Sequence, residues 1–297
     1  MENVVIKQFN DVYRGRRVFL TGHTGFKGSW LAAWLSRLGA EVTGYGLAPH
    51  TTPSHWDLLR LPARDIRGDV RDADALRQAV RTSRPEIVFH LAAQPLVRRS
   101  YGYPLETWSA NVMGTANLLD ACRDVDGLRA IVVITTDKVY TNREWTWGYR
   151  ETDTLGGHDP YSASKAACEI VVSSYRSSFF SADDQPLIAT ARAGNLIGGG
   201  DWSEDRLIPD VVRALGAGRP VEIRSPEATR CWLHVLDCLA GYLMLGQHLY
   251  SGRRDVADAW NFGSSADDNQ TVDGVLNMLR SGWPDLQWYS PNENRPH

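Results

Sequence analysis

Lysine is nearly missing from this sequence: its 297 residues hold four, Lys7, Lys27, Lys138 and Lys165, against 28 arginines. Where a cation need only be solvated, arginine serves; where a compact ammonium with a movable pKa is needed, it does not. The surviving lysines are therefore inspected one by one. Cysteine is equally sparse. Cys122, Cys168, Cys231 and Cys238 form no CxxC pair and have no metal-ligand spacing, which predicts reduced, mostly buried thiols in a reducing compartment. Eight scattered histidines argue against a structural zinc, and no metal ligand set is expected. Neither sign of charge dominates: 32 basic and 35 acidic side chains leave a net charge of −3. That balance argues against a nucleic-acid partner held by phosphate neutralisation. No uncharged apolar run approaches a membrane span, and residues 1–7 lack a signal-peptide core. A soluble cytoplasmic protein with no membrane partner is expected.

What is present is globular in composition, with 43% hydrophobic and 23% charged residues. Short apolar runs at 17–20, 42–45, around Ile66, and at 87–91, 131–134 and 187–192 do not alternate with polar residues. Helical patterns lie between them: Trp30, Leu31, Trp34, Leu35 and Leu38, then 72–80, 111–123 and 161–179. Buried strands separated by amphipathic helices predict an α/β fold, a doubly wound parallel sheet covered on both faces. After Gly194 the rhythm changes. Glycines cluster at Gly198-Gly199-Gly200, and only 235–249 and 271–280 read as firm helices. The expected division is a dinucleotide-binding domain at 14–192 and 232–263, with a smaller mixed lobe at 193–231 and 264–297.

Gly22-His23-Thr24-Gly25-Phe26-Lys27-Gly28 spells GxxGxxG between the first strand and the first helix. Glycines there permit the turn and let backbone approach a pyrophosphate, and the helix start supplies oriented N–H groups. The residue that would hold a ribose 2′-hydroxyl is missing, since 42–47 contains neither an acid nor an arginine. NAD and NADP both stay open from this position. Asp69, just after the third strand, is a candidate for the adenine side.

Tyr161 and Lys165 form a YxxxK pair at the start of a predicted helix. With 11 tyrosines and four lysines, chance supplies only about 0.15 such pairs. Residues i and i+4 share a helix face, so the ammonium is expected to lower the Tyr161 pKa and make it a base. The strand 131–134 runs into Thr135-Thr136-Asp137-Lys138 at the end that faces a ligand crevice in a parallel sheet. Thr136 can hydrogen-bond the hydroxyl that Tyr161 deprotonates, and Asp137 and Lys138 add an acid and an ammonium at the same edge.

These features together resemble the extended short-chain dehydrogenase/reductase family of nucleotide-sugar enzymes, whose fold is Rossmann-like. Within it, residues 21–30, His90-Leu91-Ala92-Ala93-Gln94-Pro95, 135–138, 192–195, 200–202 and 205–210 resemble the 4,6-dehydratases that take CDP-glucose. The resemblance covers essentially the whole chain. It implies C4 oxidation of the sugar with Tyr161 as base, loss of water across C5 and C6, and hydride return to C6. Lys138 stands where related dehydratases carry a glutamate base, and Asp137 is placed to protonate the leaving hydroxyl. Whether Lys138 acts directly or through a water stays open, because an ammonium is a poor base unless its pKa is depressed.

The resemblance further implies NAD bound by Gly22, Thr24, Gly25, Phe26, Lys27, Gly28, Asp69, Val70, Leu91, Ala92, Ala93, Asn111, Thr135, Tyr161 and Lys165. It implies a nucleotide-sugar substrate held by Gln94, Asn195, Arg206, Leu207, Arg230 and Arg295, a homodimer or homotetramer, and a product used in deoxysugars of surface polysaccharide. Family members continue several tens of residues beyond the segment that ends here at His297, so a further segment is expected. Cys231 stands where the family usually has proline. A nucleotide-sugar 4-epimerase is the alternative enzyme, although epimerisation needs no Asp137-Lys138. A non-catalytic NAD(H)-binding protein is the alternative outside enzymes.

Overall fold

The computed structural model describes residues 8–264 and 269–291. Its strands are β1 (Arg17–Thr21), β2 (Glu41–Gly46), β3 (Arg64–Arg67), β4 (Ile87–His90), β5 (Ala130–Ile134), β6 (Leu187–Ala193), β7 (Asn195–Ile197), β8 (Val221–Glu222), β9 (Thr229–His234), β10 (Ala259–Phe262), β11 (Asn269–Thr271) and β12 (Trp288–Tyr289). Its α-helices are α1 (Phe26–Arg37), α2 (His55–Leu59), α3 (Ala73–Ser83), α4 (Val97–Gly102), α5 (Pro104–Trp108), α6 (Gly114–Cys122), α7 (Pro160–Ser178), α8 (Leu207–Gly216), α9 (Val235–Tyr250) and α10 (Val272–Gly282). None of the described helices is long and apolar enough to cross a membrane.

Seven strands form one parallel sheet in the order β10-β6-β5-β4-β1-β2-β3. The order reverses between β1 and β4, and a crevice opens beyond the carboxyl ends of strands at such a switch. Successive side chains of a strand point to opposite faces, so a sheet covered on both sides needs apolar residues at every position. Accordingly Val18 and Leu20 pack with Leu31, Leu35, Leu239 and Leu243 on one face. Phe19 packs with Leu76, Val80, Leu118 and Val172 on the other. The predicted doubly wound sheet is the fold observed, and β10 brings the chain back to the sheet edge after the excursion that begins at β7.

The smaller part is mixed. β9 pairs parallel with β7 and antiparallel with β11, and β8 pairs with β12. α8 and α10 enclose a separate core of Val211, Ala214, Val221, Ile223, Leu276 and Leu286. Helix α8 corrects the expectation of only two firm helices after Gly194. Pro209 lies in its first turn, where a missing N–H costs nothing, and Leu207, Val211 and Ala214 then face one core. The single helix expected at 111–123 is also corrected. Ser109–Met113 is a π-helical turn between α5 and α6, a local widening that recurs at functional sites.

Candidate active site

Thr21 ends β1, and the glycine turn follows at once. Gly22 has φ +72°, and a Cβ there would come within 2.6 Å of the Ala92 backbone nitrogen. A Cβ on Gly28 would overlap the Gly22 carbonyl. Gly25 closes the turn through its N–H to the Gly22 carbonyl at 3.2 Å and then stands as N-cap of α1 without a side-chain cap. The first N–H groups of α1 are thus left for a ligand, and the close approaches forbid side chains where that ligand would lie. Thr24 turns its hydroxyl to the Leu47 carbonyl at 3.0 Å, and Arg67 of β3 donates to the same oxygen at 3.1 Å. An arginine therefore does stand at the end of β2, supplied by the neighbouring strand. Asp69 is occupied by Arg71, which donates from its backbone and guanidinium and pulls the carboxyl pKa down. Val70 is buried, with its side chain against Gly114 of α6.

At the end of β4, Thr21 Oγ1 accepts from Leu91 N and Ala92 N, each at 3.2 Å, and lies 2.7 Å from His90 Nδ1. Thr115 donates to the Asn111 carbonyl at 2.6 Å and so receives the His90 Nε2 proton at 3.1 Å. Burial pushes His90 down to about 3, so it serves as a neutral brace. Asn111 accepts from Gln94 N at 2.8 Å and donates to Ser164 Oγ at 2.8 Å. Gln94 spends its side chain on Leu96 and Thr107. Both amides, expected at the ligands, face inward and hold the 91–96 segment, with Ala93 in it, against α7.

The candidate reactive groups gather beyond β5. Thr136 Oγ1 donates to Asp137 Oδ1 at 3.0 Å and caps the short 3₁₀ turn Asp137–Val139. Tyr161 and Lys165 lie on α7, capped by Asp159. Burial pushes the Tyr161 phenol up to about 12, opposed by a hydrogen bond to Thr136 and by the charge of Arg206. This reverses the lowering expected from the YxxxK spacing. The physical reason is that Lys165 directs its ammonium to the Ile134 carbonyl at 3.0 Å, and burial of the phenol outweighs the nearby charge.

Asp137 and Lys138 keep exposed surface, yet the groups packed around them desolvate both. This desolvation raises the Asp137 pKa and lowers that of Lys138, where Arg230 and Arg206 add like-charge repulsion. Lys27 is drawn down to about 8 by burial, with Lys165 and Arg206 as nearby like charges. A Cβ on Gly194, at the β6–β7 junction, would lie 3.0 Å from Asp137 Oδ2, so the smaller lobe begins against the acid.

Arg206 caps α8 with its Nε 4.0 Å from Asp201, and Leu207 packs on the small core. Arg230 donates to the Thr229 carbonyl at 2.8 Å, and Asn195 lies in register with Trp232 of β9. Arg295 lies outside the described residues.

Lys27, Thr136, Asp137, Lys138, Tyr161, Lys165, Arg206 and Arg230 are therefore brought together, whereas the side chains of Asp69, Gln94, Asn111 and Thr135 are bonded to other protein groups. Thr135 donates to Glu169 at 2.5 Å. Glu169, buried one turn beyond Lys165, also accepts from Arg192 at 2.9 Å, and sequence reading assigned neither residue a role. The available signal was a carboxylate at i+4 from Lys165 on a helix face otherwise buried. Among the described residues no cluster of three or more His, Cys, Asp or Glu could hold a metal.

Residues 18–263 match the NAD dependent epimerase/dehydratase family. The chain is 48% identical over 294 residues to the CDP-glucose 4,6-dehydratase of Salmonella typhimurium, which takes in 96% of this chain and 81% of that protein. Its fold is that of the epimerase Mth375 from Methanothermobacter thermautotrophicus, with TM-score 0.84, 22% identity, and coverage of 98% and 84% of the two chains. It is also similar to MoeE5 in complex with UDP-glucose and NAD, with TM-score 0.75, 28% identity, and coverage of 94% and 86%. A match running from β1 to just beyond β10, over a glycine turn and a Tyr161–Lys165 helix of this geometry, is decisive: the chain belongs to the NAD-dependent epimerase/dehydratase family.

Proposed function

We propose that this protein converts CDP-D-glucose into CDP-4-dehydro-6-deoxy-D-glucose with NAD as a cofactor that is restored in each turnover. The observation that carries the reading is the Asp137–Lys138 pair beside Tyr161 and Thr136, an acid and a base that an epimerase has no use for. The Salmonella relative's name supports the same substrate.

The residues fit a dinucleotide: the uncapped start of α1 and the glycine positions that exclude a Cβ leave a pyrophosphate-sized approach to Gly22, Thr24, Gly25, Phe26, Lys27 and Gly28. When bound there, NAD supplies the hydride acceptor for C4 and the hydride donor for C6. The chain handles the protons. Tyr161 takes the proton of the C4 hydroxyl, which Thr136 orients. Its raised pKa must fall for this, and the Thr136 hydrogen bond and the charge of Arg206 act in that direction. The ketone then acidifies C5–H, Lys138 takes that proton, and Asp137 gives its own to the departing C6 hydroxyl. Lys138 finally returns its proton to C5, and Tyr161 releases a proton to solvent as Asp137 regains one, which resets the chain.

Arg206 and Arg230 face the same crevice from the smaller lobe, and a guanidinium fork suits diphosphate oxygens. We assign 193–231 and 264–297 to this nucleotide-sugar lobe, and 14–192 with 232–263 to the dinucleotide domain. The return of β10 to the main sheet supports that division. Exposed apolar side chains at Leu105, Met113 and Ile170 support a homodimer or homotetramer, and four free thiols support a cytoplasmic setting.

The test is incubation with CDP-glucose and NAD, with the product identified by mass and by its 4-keto chromophore. A 4-keto-6-deoxy sugar is expected. A C4 epimer alone would transfer the protein to the epimerases.

A further inference from the structure

The Asp137–Lys138 turn is gripped at both of its ends by one buried ion pair. Glu169, on α7, accepts from Thr135 Oγ1 at 2.5 Å, from Thr190 Oγ1 at 2.7 Å and from Arg192 Nη2 at 2.9 Å. Both charged side chains are under 5% exposed. Burial works against the Arg192 charge, but the hydrogen bond and attraction of Glu169 outweigh it and raise the guanidinium pKa.

On its other side Arg192 donates through Nη1 to Tyr140 Oη at 2.8 Å and to the Glu151 carbonyl at 3.0 Å. Tyr140 passes its own proton to Asn261 Oδ1 at 2.6 Å and stacks on Tyr149, ring centres 5.0 Å apart. The segment 135–140 is thus held at its first residue by Glu169 and at its last by Arg192. Asp137 and Lys138 lie between, with their side chains in the crevice.

A buried ion pair is weak evidence for stability, because desolvation offsets its attraction, and its better-attested use is to fix one arrangement of the groups around it. We propose that Glu169, Arg192 and Tyr140 are positioning residues for the elimination half of the reaction, setting the reach of Asp137 and Lys138 without touching the sugar. This rests on the dehydratase reading above. It bears unequally on the two halves: Tyr161 and Lys165 belong to a 19-residue helix with its own cap, whereas Asp137 and Lys138 sit on a three-residue turn, and Thr136, which serves the oxidation half, precedes that turn at the end away from Tyr140. Loss of the grip therefore misplaces the elimination groups first.

The experiment compares the parent with Tyr140→Phe and Glu169→Gln in single-turnover absorbance of reduced nicotinamide, with the enzyme in excess over CDP-glucose. Tyr140→Phe removes the hydroxyl from Arg192 and Asn261 while leaving the ion pair intact, so it keeps a folded chain under test should Glu169→Gln fail to fold. The expected result for Tyr140→Phe is C4 oxidation within about twofold of the parent, decay of the reduced cofactor slowed about tenfold or more, and little change in the KM for the sugar. Tyr140→Trp, which does not restore the hydroxyl, should behave likewise. Parent-rate decay in Tyr140→Phe, or equal slowing of both phases, overturns the proposal while leaving the dehydratase reading in place. A parent that shows no reduced-cofactor transient and forms no 4-keto-6-deoxy product overturns both.

Discussion

Asp137 and Lys138 are adjacent, and in the ordinary charged forms of a carboxylate and an ammonium each is in the wrong form for its proposed task. Elimination needs a protonated carboxyl and a neutral amine, the minority arrangement of the pair. Partial burial raises the Asp137 pKa and lowers the Lys138 pKa, and both shifts move population toward the neutral pair. The ion pair and the neutral pair carry the same number of protons, so their ratio does not change with pH between the two apparent pKa values. The rate of reduced-cofactor decay should therefore be flat across neutral pH. It should fall on the acid side once the pair holds two protons, and on the alkaline side once the pair has lost the one proton it shares. In Asp137→Asn the plateau should give way to a slower rate that climbs with pH through the Lys138 titration, about a hundredfold to ten-thousandfold below the parent. Stopped-flow absorbance across a pH series checks this. A parent rate that simply climbs with pH would show that Lys138 acts without the acid.

At the scale of elements, α1 and the turn before it have little tolerance for added side chains. Gly28 sits with its Cα facing the Gly22 carbonyl, and a methyl group there must push the turn open. Gly28→Ala should weaken nicotinamide-cofactor binding by about tenfold or more, with the fold retained because the helix itself favours alanine. Titration calorimetry with the reduced cofactor reads this directly, and unchanged affinity would dissociate the turn from the cofactor.

This turn was legible in the sequence because it is local: a strand, glycines at fixed offsets and a helix are set by neighbours in the chain. The main-sheet strands were legible for the same reason. The smaller lobe was not. β8 and β12 have two residues each, too few for a period to show, and α8 hides a proline in its first turn. Side-chain direction was the other loss. The resemblance implies Thr135 as a cofactor neighbour, yet its hydroxyl goes to Glu169, a partner 34 residues away. The π-helical turn at Ser109–Met113 likewise depends on what Asn111 meets across the fold.

For the whole molecule, the crevice lies between the main sheet and the smaller lobe, and among the described residues Trp30 of α1 donates across to the Gly199 carbonyl at 2.8 Å. Arg98 of α4 reaches Asp205 at 2.7 Å, and Arg224 joins the same carboxylate from the loop after β8. These charges are solvated, so such pairs contribute only about 0–1 kcal/mol and are weakened by salt. The smaller lobe therefore depends on its ligand contacts for a firm hold on the substrate. Arg230→Ala should raise the KM for CDP-glucose about tenfold to a hundredfold, as expected for loss of a charged hydrogen bond, with kcat within about threefold of the parent. Steady-state kinetics at two salt concentrations checks it. Equal losses in both constants would place Arg230 at the reacting carbon instead.

The arginine-for-lysine bias has a consequence for anyone handling the protein. Three of its four lysines, Lys27, Lys138 and Lys165, line one crevice, and desolvation lowers the pKa of each. Acylating reagents consume free amines, whereas guanidinium groups stay inert to them. On most proteins a coat of surface lysines absorbs such reagents harmlessly; here, apart from Lys7, the lysines that meet the dye ester, the biotin tag or the coupling resin belong to the candidate active-site crevice. Attachment through Lys138 is attachment at that site, and conjugation is better directed to an added cysteine.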